Sequence, residues 1–338
     1  MSPLGQLTLA RLRIFFREPG AVFWTFGFPL VLSLTLGIAF RNQPPEPVAI
    51  AVAAGCPSAL LALSKNPAFV VIASPDDPAA LRAVTTGKAG LAVVSGCAYR
   101  FDPTRPASRL ARALVIDALE RAAGRRDLLP VREEPVTEPG SRYIDFLVPG
   151  LIGMNIMSSG MWGIGYVIVD MRTRKLLKRL MATPVSRAQF LWSFVLMRML
   201  FLVLELPVLL GFAALAFKVQ IAGSLGLLVG LSFLGAFAFS GIGLLVAARA
   251  ENTQTVSGLI NLIMMPMFIG SGVFFSTSRF PAFLQPVLAA LPLTALNDSL
   301  RAVMIDGKGL AGVAGPAALL AAIAVVSFGA ALRLFRWS

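Results

Sequence analysis

The chain has 338 residues, is 57% hydrophobic and only 14% charged, and carries a net charge of +13. Its mean hydropathy of +0.77 exceeds what a soluble domain with a wet exterior can sustain. The absence of histidine excludes histidine metal sites, general bases and proton relays.

In chain order, residues 1–20 come first. Leu and Phe interleave there with Arg11, Arg13 and Arg17, as in a cytoplasmic helix lying in the membrane interface or a basic flank that orients the first span. Six stretches reach the length of about 20 residues that a helix needs to cross hydrocarbon: 21–40, 146–169, 190–217, 221–248, 253–278 and 310–332. The first is long enough to remain as a span, so no cleavable signal peptide is expected.

Composition changes abruptly over 41–143, with proline-rich edges at 44–47 and 130–139, and this predicts a folded extracytoplasmic domain. The pattern reads strand 48–54, helix 58–65, strand 69–73, helix 78–86, strand 90–94, a short strand at 98–101 and helix 108–122. Alternating strands and helices predict a small α/β domain with parallel pairing. Cys56 and Cys97 follow the first and third strands. In a right-handed βαβαβ unit with the first strand central, those strand ends are neighbours, which predicts a disulfide; two buried thiols are the alternative.

Between the second and third spans lies a basic segment, 170–188, with Arg172, Arg174, Lys175, Lys178, Arg179 and Arg187. Such a segment marks the cytoplasmic side. With both termini inside, twelve Lys and Arg fall in the cytoplasm, and the short outer loops hold four: Lys218, Arg279, Arg301 and Lys308. The positive charge is explained by topology and anionic lipid, so membrane lipids are expected partners and nucleic acid is not.

Within the spans, Arg198 and Glu205 are the ionisable groups. They share one face of a helix but stand about 10 Å apart along its axis, so direct pairing is not expected and Arg198 is expected to snorkel. Glu205 needs a partner or a wet cavity, for substrate contact or for bonding between helices. Met154, Asn155, Met157, Met161 and Trp162 in the second span, with Asn261, Met264, Met265 and Phe268 in the fifth, suit either an adaptable apolar pathway or ordinary packing. The glycines at 160, 163 and 165, and at 223, 226 and 230, fit close helix packing within the chain or a dimer seam. Residues 281–306 carry Pro281, Pro286 and Pro292, too broken for a span, and predict an outer re-entrant hairpin.

The nearest approach to a phosphate loop, Thr85-Thr86-Gly87-Lys88, lacks the upstream glycine, so no ATPase or other catalytic site is expected on this chain. The expected fold is a polytopic α-helical membrane protein: six transmembrane helices, an outer α/β domain between helices 1 and 2, and a re-entrant hairpin between helices 5 and 6. A proton-coupled secondary transporter, using Glu205, and a membrane sensor with an extracytoplasmic domain are the alternative functions.

Five segments, taken in order, resemble the membrane subunit of ATP-binding-cassette type-2 exporters. They are Phe146-Leu-Val-Pro-Gly150, the run 169–184, Glu251-Asn-Thr-Gln254, Ser271-Gly-Val-Phe-Phe275 and the run 291–301. The resemblance implies a half-transporter in a bacterial plasma (inner) membrane that pairs with a second permease subunit, as a homodimer, and binds cytoplasmic ATPase subunits. ATP and Mg would sit on those partners, and no cofactor on this chain. It also implies that the segment around Arg172, Arg174, Lys175, Leu176, Leu177, Lys178, Arg179, Leu180 and Pro184 is a coupling helix, assisted by Arg249, Glu251 and Asn252. A basic loop merely anchored to lipid is the plainer reading of that segment.

Overall fold

The computed structural model describes residues 3–39, 47–125, 142–181 and 186–335, in two compact units. The smaller is an α/β unit. Strands β1 (Val48–Ala53), β2 (Phe69–Ser74), β3 (Leu91–Val94) and β4 (Ala98–Phe101) form one sheet in the order β2-β1-β3-β4. The central β1 runs parallel to both neighbours, Val48 opposite Phe69 and Ile50 opposite Leu91, while β4 returns antiparallel to β3.

A strand covered on both faces must be apolar throughout, and Val48-Ala-Ile-Ala-Val-Ala53 is. Helices α4 (Pro57–Ser64) and α6 (Pro106–Ala122) cover one face around Ile50, Val52, Leu63, Leu91 and Val115. Helix α5 (Asp77–Thr85) covers the other, with Ala80 and Val84 against Ala51, Ala53 and Ala92. Asp76 starts α5 by accepting a hydrogen bond from Ala79 N at 2.8 Å.

The turns after β1 and β3 meet, and Cys56 and Cys97 are joined there as a disulfide with Cα atoms 5.5 Å apart. Gly55 permits this approach, since a Cβ on it would stand 2.4 Å from Ser95 Oγ. Both N and Oγ of Ser95 donate to Asp77 Oδ1 at 2.9 Å.

The second unit is helical. Among the described residues, five helices are long and apolar enough to cross a membrane: Tyr143–Thr173, Ala188–Phe217, Leu225–Arg249, Thr253–Gly270 and Leu310–Leu334. The first of these comprises α7 (Tyr143–Gly160), a wide π-helical turn Met161–Tyr166 and α8 (Val167–Thr173). Next come α9 (Leu176–Met181), α10 (Arg187–Phe217), α11 (Leu225–Arg249) and α12 (Thr253–Gly270). Two shorter helices, α13 (Gln285–Ala289) and α14 (Pro292–Met304), precede α15 (Leu310–Leu334).

Two predicted spans have different bounds in the structure. The first predicted span, 21–40, appears as a shorter apolar helix over Phe23–Ala39, which includes a second π turn at Phe23–Gly27. It continues from α2 (Pro19–Val22), runs through that turn into α3 (Phe28–Ala39), and follows α1 (Pro3–Arg17); residue 40 lies outside the described residues. The fifth predicted span, 253–278, stops at Gly270, because Gly272 takes a left-handed φ of +70° that no continuing helix allows.

α11 packs against α7, α10, α14 and α15. Its Gly243 lies so close to Gly160 that a Cβ would stand 2.4 Å from Gly160 O, which makes this glycine seam a contact within one chain. Gly163 and Gly230 face open space where a Cβ would stand, so they take no part in it.

Candidate coupling site and pathway

The helix ends of the second unit sort to two opposite ends of the 31-residue rod Tyr143–Thr173. At the Thr173 end, Arg172 Nη1 donates to Ala247 O at 2.9 Å and also to Ala250 O, and Nη2 reaches Ala248 O at 3.5 Å. The last carbonyls of a helix have no partner within it, and a cation suits the negative end of the helix dipole. Arg172 thereby closes α11, and its guanidinium also lies 5.6 Å from the ring centre of Phe335, just past α15. Phe335 in turn meets Phe190 near the start of α10, ring centres 6.1 Å apart.

One turn beyond, the chain reverses through Lys175, whose φ of +59° is left-handed without the help of glycine. Arg174 N donates to Asp170 O and Lys175 N to Arg172 O, both at 3.0 Å, which fixes the reversal. Arg174, Lys175 and Lys178 are exposed, and Arg174 pairs with Asp170 at 2.9 Å. Across the junction that Arg172 makes, Arg249, Glu251 and Asn252 are also exposed, and Asn252 starts α12 by accepting from Thr255 N at 2.7 Å. The structure thus brings together the two segments expected to act in coupling.

It assigns two members different work. Arg172 is a structural clamp between helices, and Leu177, 1% exposed, belongs to the core of the unit instead of a docking face. Leu176 is half-buried. The side chains of Arg179 and Leu180, and Pro184 entirely, lie outside the described residues.

Of the pathway candidates, Met154, Met157 and Met161 are buried in the core, and Asn155 donates to Thr25 O at 3.4 Å within the π turn Phe23–Gly27. Trp162 is half-buried against Tyr166, ring centres 5.8 Å apart. On α12, Met264 is buried and Phe268 half-buried, while Asn261 and Met265 face outward with Leu262 and Ile269. The two sets therefore do not line one surface within a single chain.

The expectation that Arg198 and Glu205 stand apart is overturned. Arg198 Nη1 donates to Glu205 Oε2 at 2.5 Å, with both side chains almost fully buried, 4% and 1% exposed. Side chains lean toward the N-terminus of a helix, so Glu205 leans toward Arg198, and the length of the arginine covers the rest of two turns. Burial makes the alternative, two separate charges, far more costly.

At the Tyr143 end, three side chains hold the loop that follows α12. Asn297 Nδ2 donates to Ser271 O at 2.9 Å, Tyr143 Oη to Phe274 O at 2.8 Å, and Arg301 to Gly272 O. Arg301 Nε also reaches Phe146 O at 3.2 Å, and its guanidinium stacks 3.8 Å from the Phe146 ring centre. Burial is the first cause that lowers the Arg301 guanidinium to about 10, so it stays charged at neutral pH. Gly150 and Gly153 make room for this: a Cβ would stand 2.6 Å from Val273 O and 2.0 Å from Asn297 Oδ1 respectively. Nearby, Arg142 pairs with Asp145 at 2.8 Å and donates to Phe217 O at 2.8 Å, closing α10.

In the sequence Asn297 and Arg301 stand out only within the run 291–301 that carries the family resemblance, Arg301 also as an outer-loop charge, and Tyr143 does not stand out at all. The available signal was the spacing of Asn297 and Arg301, four apart in a helix and so on one face. Among the described residues, no group of three or more His, Cys, Asp and Glu could hold a metal ion.

Five long apolar helices with polar side chains turned inward define a polytopic helical membrane protein. A family model described as ABC-2 family transporter protein matches residues 110–333, two thirds of the chain, and the protein belongs to that family. The chain is 25% identical over 201 residues, 59% of its length, to the ABC transporter G family member 20 of Dictyostelium discoideum. It is 24% identical over 176 residues, 52% of its length, to the linearmycin resistance permease protein LnrN of Bacillus subtilis (strain 168). These matches span 28% and 46% of the two relatives, so the chain covers less than half of each.

Proposed function

We propose that this chain is the membrane-spanning permease subunit of an ATP-driven exporter, forming a pathway for an amphiphilic or lipid-like substrate and working with separate ATPase subunits that bind ATP and Mg. It would act as a homodimer in the inner membrane of a bacterium, with both termini in the cytoplasm and the α/β unit outside. Family membership supports a non-catalytic transmembrane subunit, and a relative named a resistance permease supports outward transport. The disulfide supports an oxidising compartment for the α/β unit.

The observation that carries the reading is the Arg172 junction. It fixes an exposed cationic reversal, Arg174, Lys175 and Lys178, to the exposed α11–α12 turn at the end of the same rod. A partner pressing on that surface would move α8, α11 and α12 together instead of bending a loose loop. The carrier alternative rested on Glu205, which Arg198 engages.

The test is the double variant Lys175→Glu, Lys178→Glu, which leaves buried Leu177 in place. It should reach the membrane in normal amount, lose co-purification of an ATPase subunit and lose ATP-dependent transport. Transport by the purified chain alone in vesicles, with no nucleotide-hydrolysing partner, would overturn the reading.

A further inference from the structure

We propose that Arg198 and Glu205 form a binding site for the zwitterionic headgroup of an amphiphile, the guanidinium gripping its oxyanion and the carboxylate its ammonium or hydroxyl donor. The pair satisfies itself only in part. Arg198 Nη1 holds Glu205 Oε2, yet Arg198 Nε and Nη2 and Glu205 Oε1 are buried without a hydrogen-bond partner among the described residues.

The unused atoms are not scattered. By the naming of guanidinium nitrogens, Nη1 lies on the Cδ side, so the Nε and Nη2 hydrogens point the same way and make the side-on fork that matches two oxygens of a phosphate or carboxylate. An ion pair needed only to neutralise Glu205 would not leave a complete fork unmet in a low dielectric, where unmet donors are costly. A lone oxyanion would leave the site with net negative charge and Glu205 Oε1 still unmet. A headgroup that carries an oxyanion and an ammonium meets all three atoms and keeps the buried charge at zero.

The surroundings fit an amphiphile. Phe201 follows Arg198 by three residues and shares its face of α10, and it is covered by α1: the Phe15 ring lies 4.2 Å and the Phe16 ring 6.0 Å from it, centre to centre. Phe201, on the face of α10 that Arg198 shares, is thus covered by a separate amphipathic helix, which could move without unfolding α10. Just round the helix from Phe201, Leu204 and Val208 are exposed and apolar, a place for a hydrocarbon tail. The proposal depends on the permease reading only in taking this ligand as cargo.

The experiment measures binding to the purified full chain in detergent, using lysophosphatidylethanolamine as the tailed zwitterion, phosphoethanolamine as the same headgroup without a tail, and dodecyltrimethylammonium as a tailed cation. Arg198→Lys keeps the positive charge beside Glu205 but has no fork. Arg198→Met with Glu205→Met replaces the pair by apolar chains of similar length, a change that buried ion pairs tolerate.

The tailed zwitterion should bind the wild type, at least about tenfold more weakly in Arg198→Lys and not measurably in the double variant. Equal binding in all three proteins, no binding to the wild type, or a preference for the tailed cation overturns the site. Equally tight binding of phosphoethanolamine overturns the assignment to an amphiphile. Co-purification of the ATPase subunit with each variant is measured in parallel: if it persists while zwitterion binding fails, the permease reading stands and this one falls.

Discussion

The α/β unit and the helical unit are built against different solvents, and the same residue types mark opposite things in them. In the α/β unit apolar means inside: Ile50, Val52, Leu63 and Leu91 are buried, and each contributes about 1.5–3 kcal/mol by leaving water. In the helical unit Leu200, Val203 and Leu262 face outward, while Arg198, Glu205, Ser240 and Asn297 are buried. Where hydrocarbon is the solvent, burying leucine gains little, and the polar side chain identifies the interior. The working parts of the second unit are accordingly its cations: Arg172 and Arg142 close helices, and Arg301 holds a loop.

Three measurements can break or sharpen this contrast. The largest effect is expected from Cys56→Ser with Cys97→Ser. The disulfide spans a sequence separation of 41 residues, and opening a loop of that size costs about 4 kcal/mol. Proteolysis of the full chain should then cut the α/β unit at lower urea, while the helical unit keeps its thermal midpoint; an equal fall in both would mean the units are not independently stabilised.

Next, Arg172→Ala should lower the thermal midpoint of the helical unit in detergent by the equivalent of about 3 kcal/mol, because several carbonyls lose a charged donor at once. Arg174→Ala, at a side chain 70% exposed, should cost less than about 0.5 kcal/mol. Similar losses from the two would refute the view that buried cations organise this unit. The smallest effect compares caps. Asp76→Ala in α5 and Asn252→Ala in α12 each remove one side-chain acceptor worth about 1 kcal/mol. Hydrogen exchange at Ala79 and Thr255 reads each loss locally, and a much larger effect at Thr255 would show that the turn between α11 and α12 is held by more than its cap.

The same contrast governs what the sequence disclosed. The strand order and the Cys56 to Cys97 pairing are readable because short apolar strands, covered on both faces, alternate with helices and are separated by turn residues such as Gly55 and Gly96. Long apolar stretches located most of the long helices, but not where they stop: Gly270 and Gly272 end α12 inside a run that stays apolar to Phe275. Hydropathy also cannot say which side of an apolar helix faces protein, so Met154 and Met265, alike in sequence, lie buried and exposed. Arg198 and Glu205 look too far apart in the sequence because axial rise takes no account of side-chain lean and reach. The five segments of the family resemblance, by contrast, collect at the two ends of the rod, Glu251 to Gln254 beside the Arg172 junction and Phe146, Ser271 and Arg301 around the opposite clamp.

The wide turn at Met161–Tyr166 bears on how such a rod can change length. A π-helical turn holds one residue more than the α ladder on either side. Deleting a residue there would let the ladder close over the gap, and the side chains at Tyr143 and Arg172 would keep their bearings, whereas a deletion elsewhere would swing one end about 100° relative to the other. This stretch is therefore where the rod has slack to give up a residue, and the smaller turn at Phe23–Gly27 gives the same slack to the helix that runs from α2 into α3.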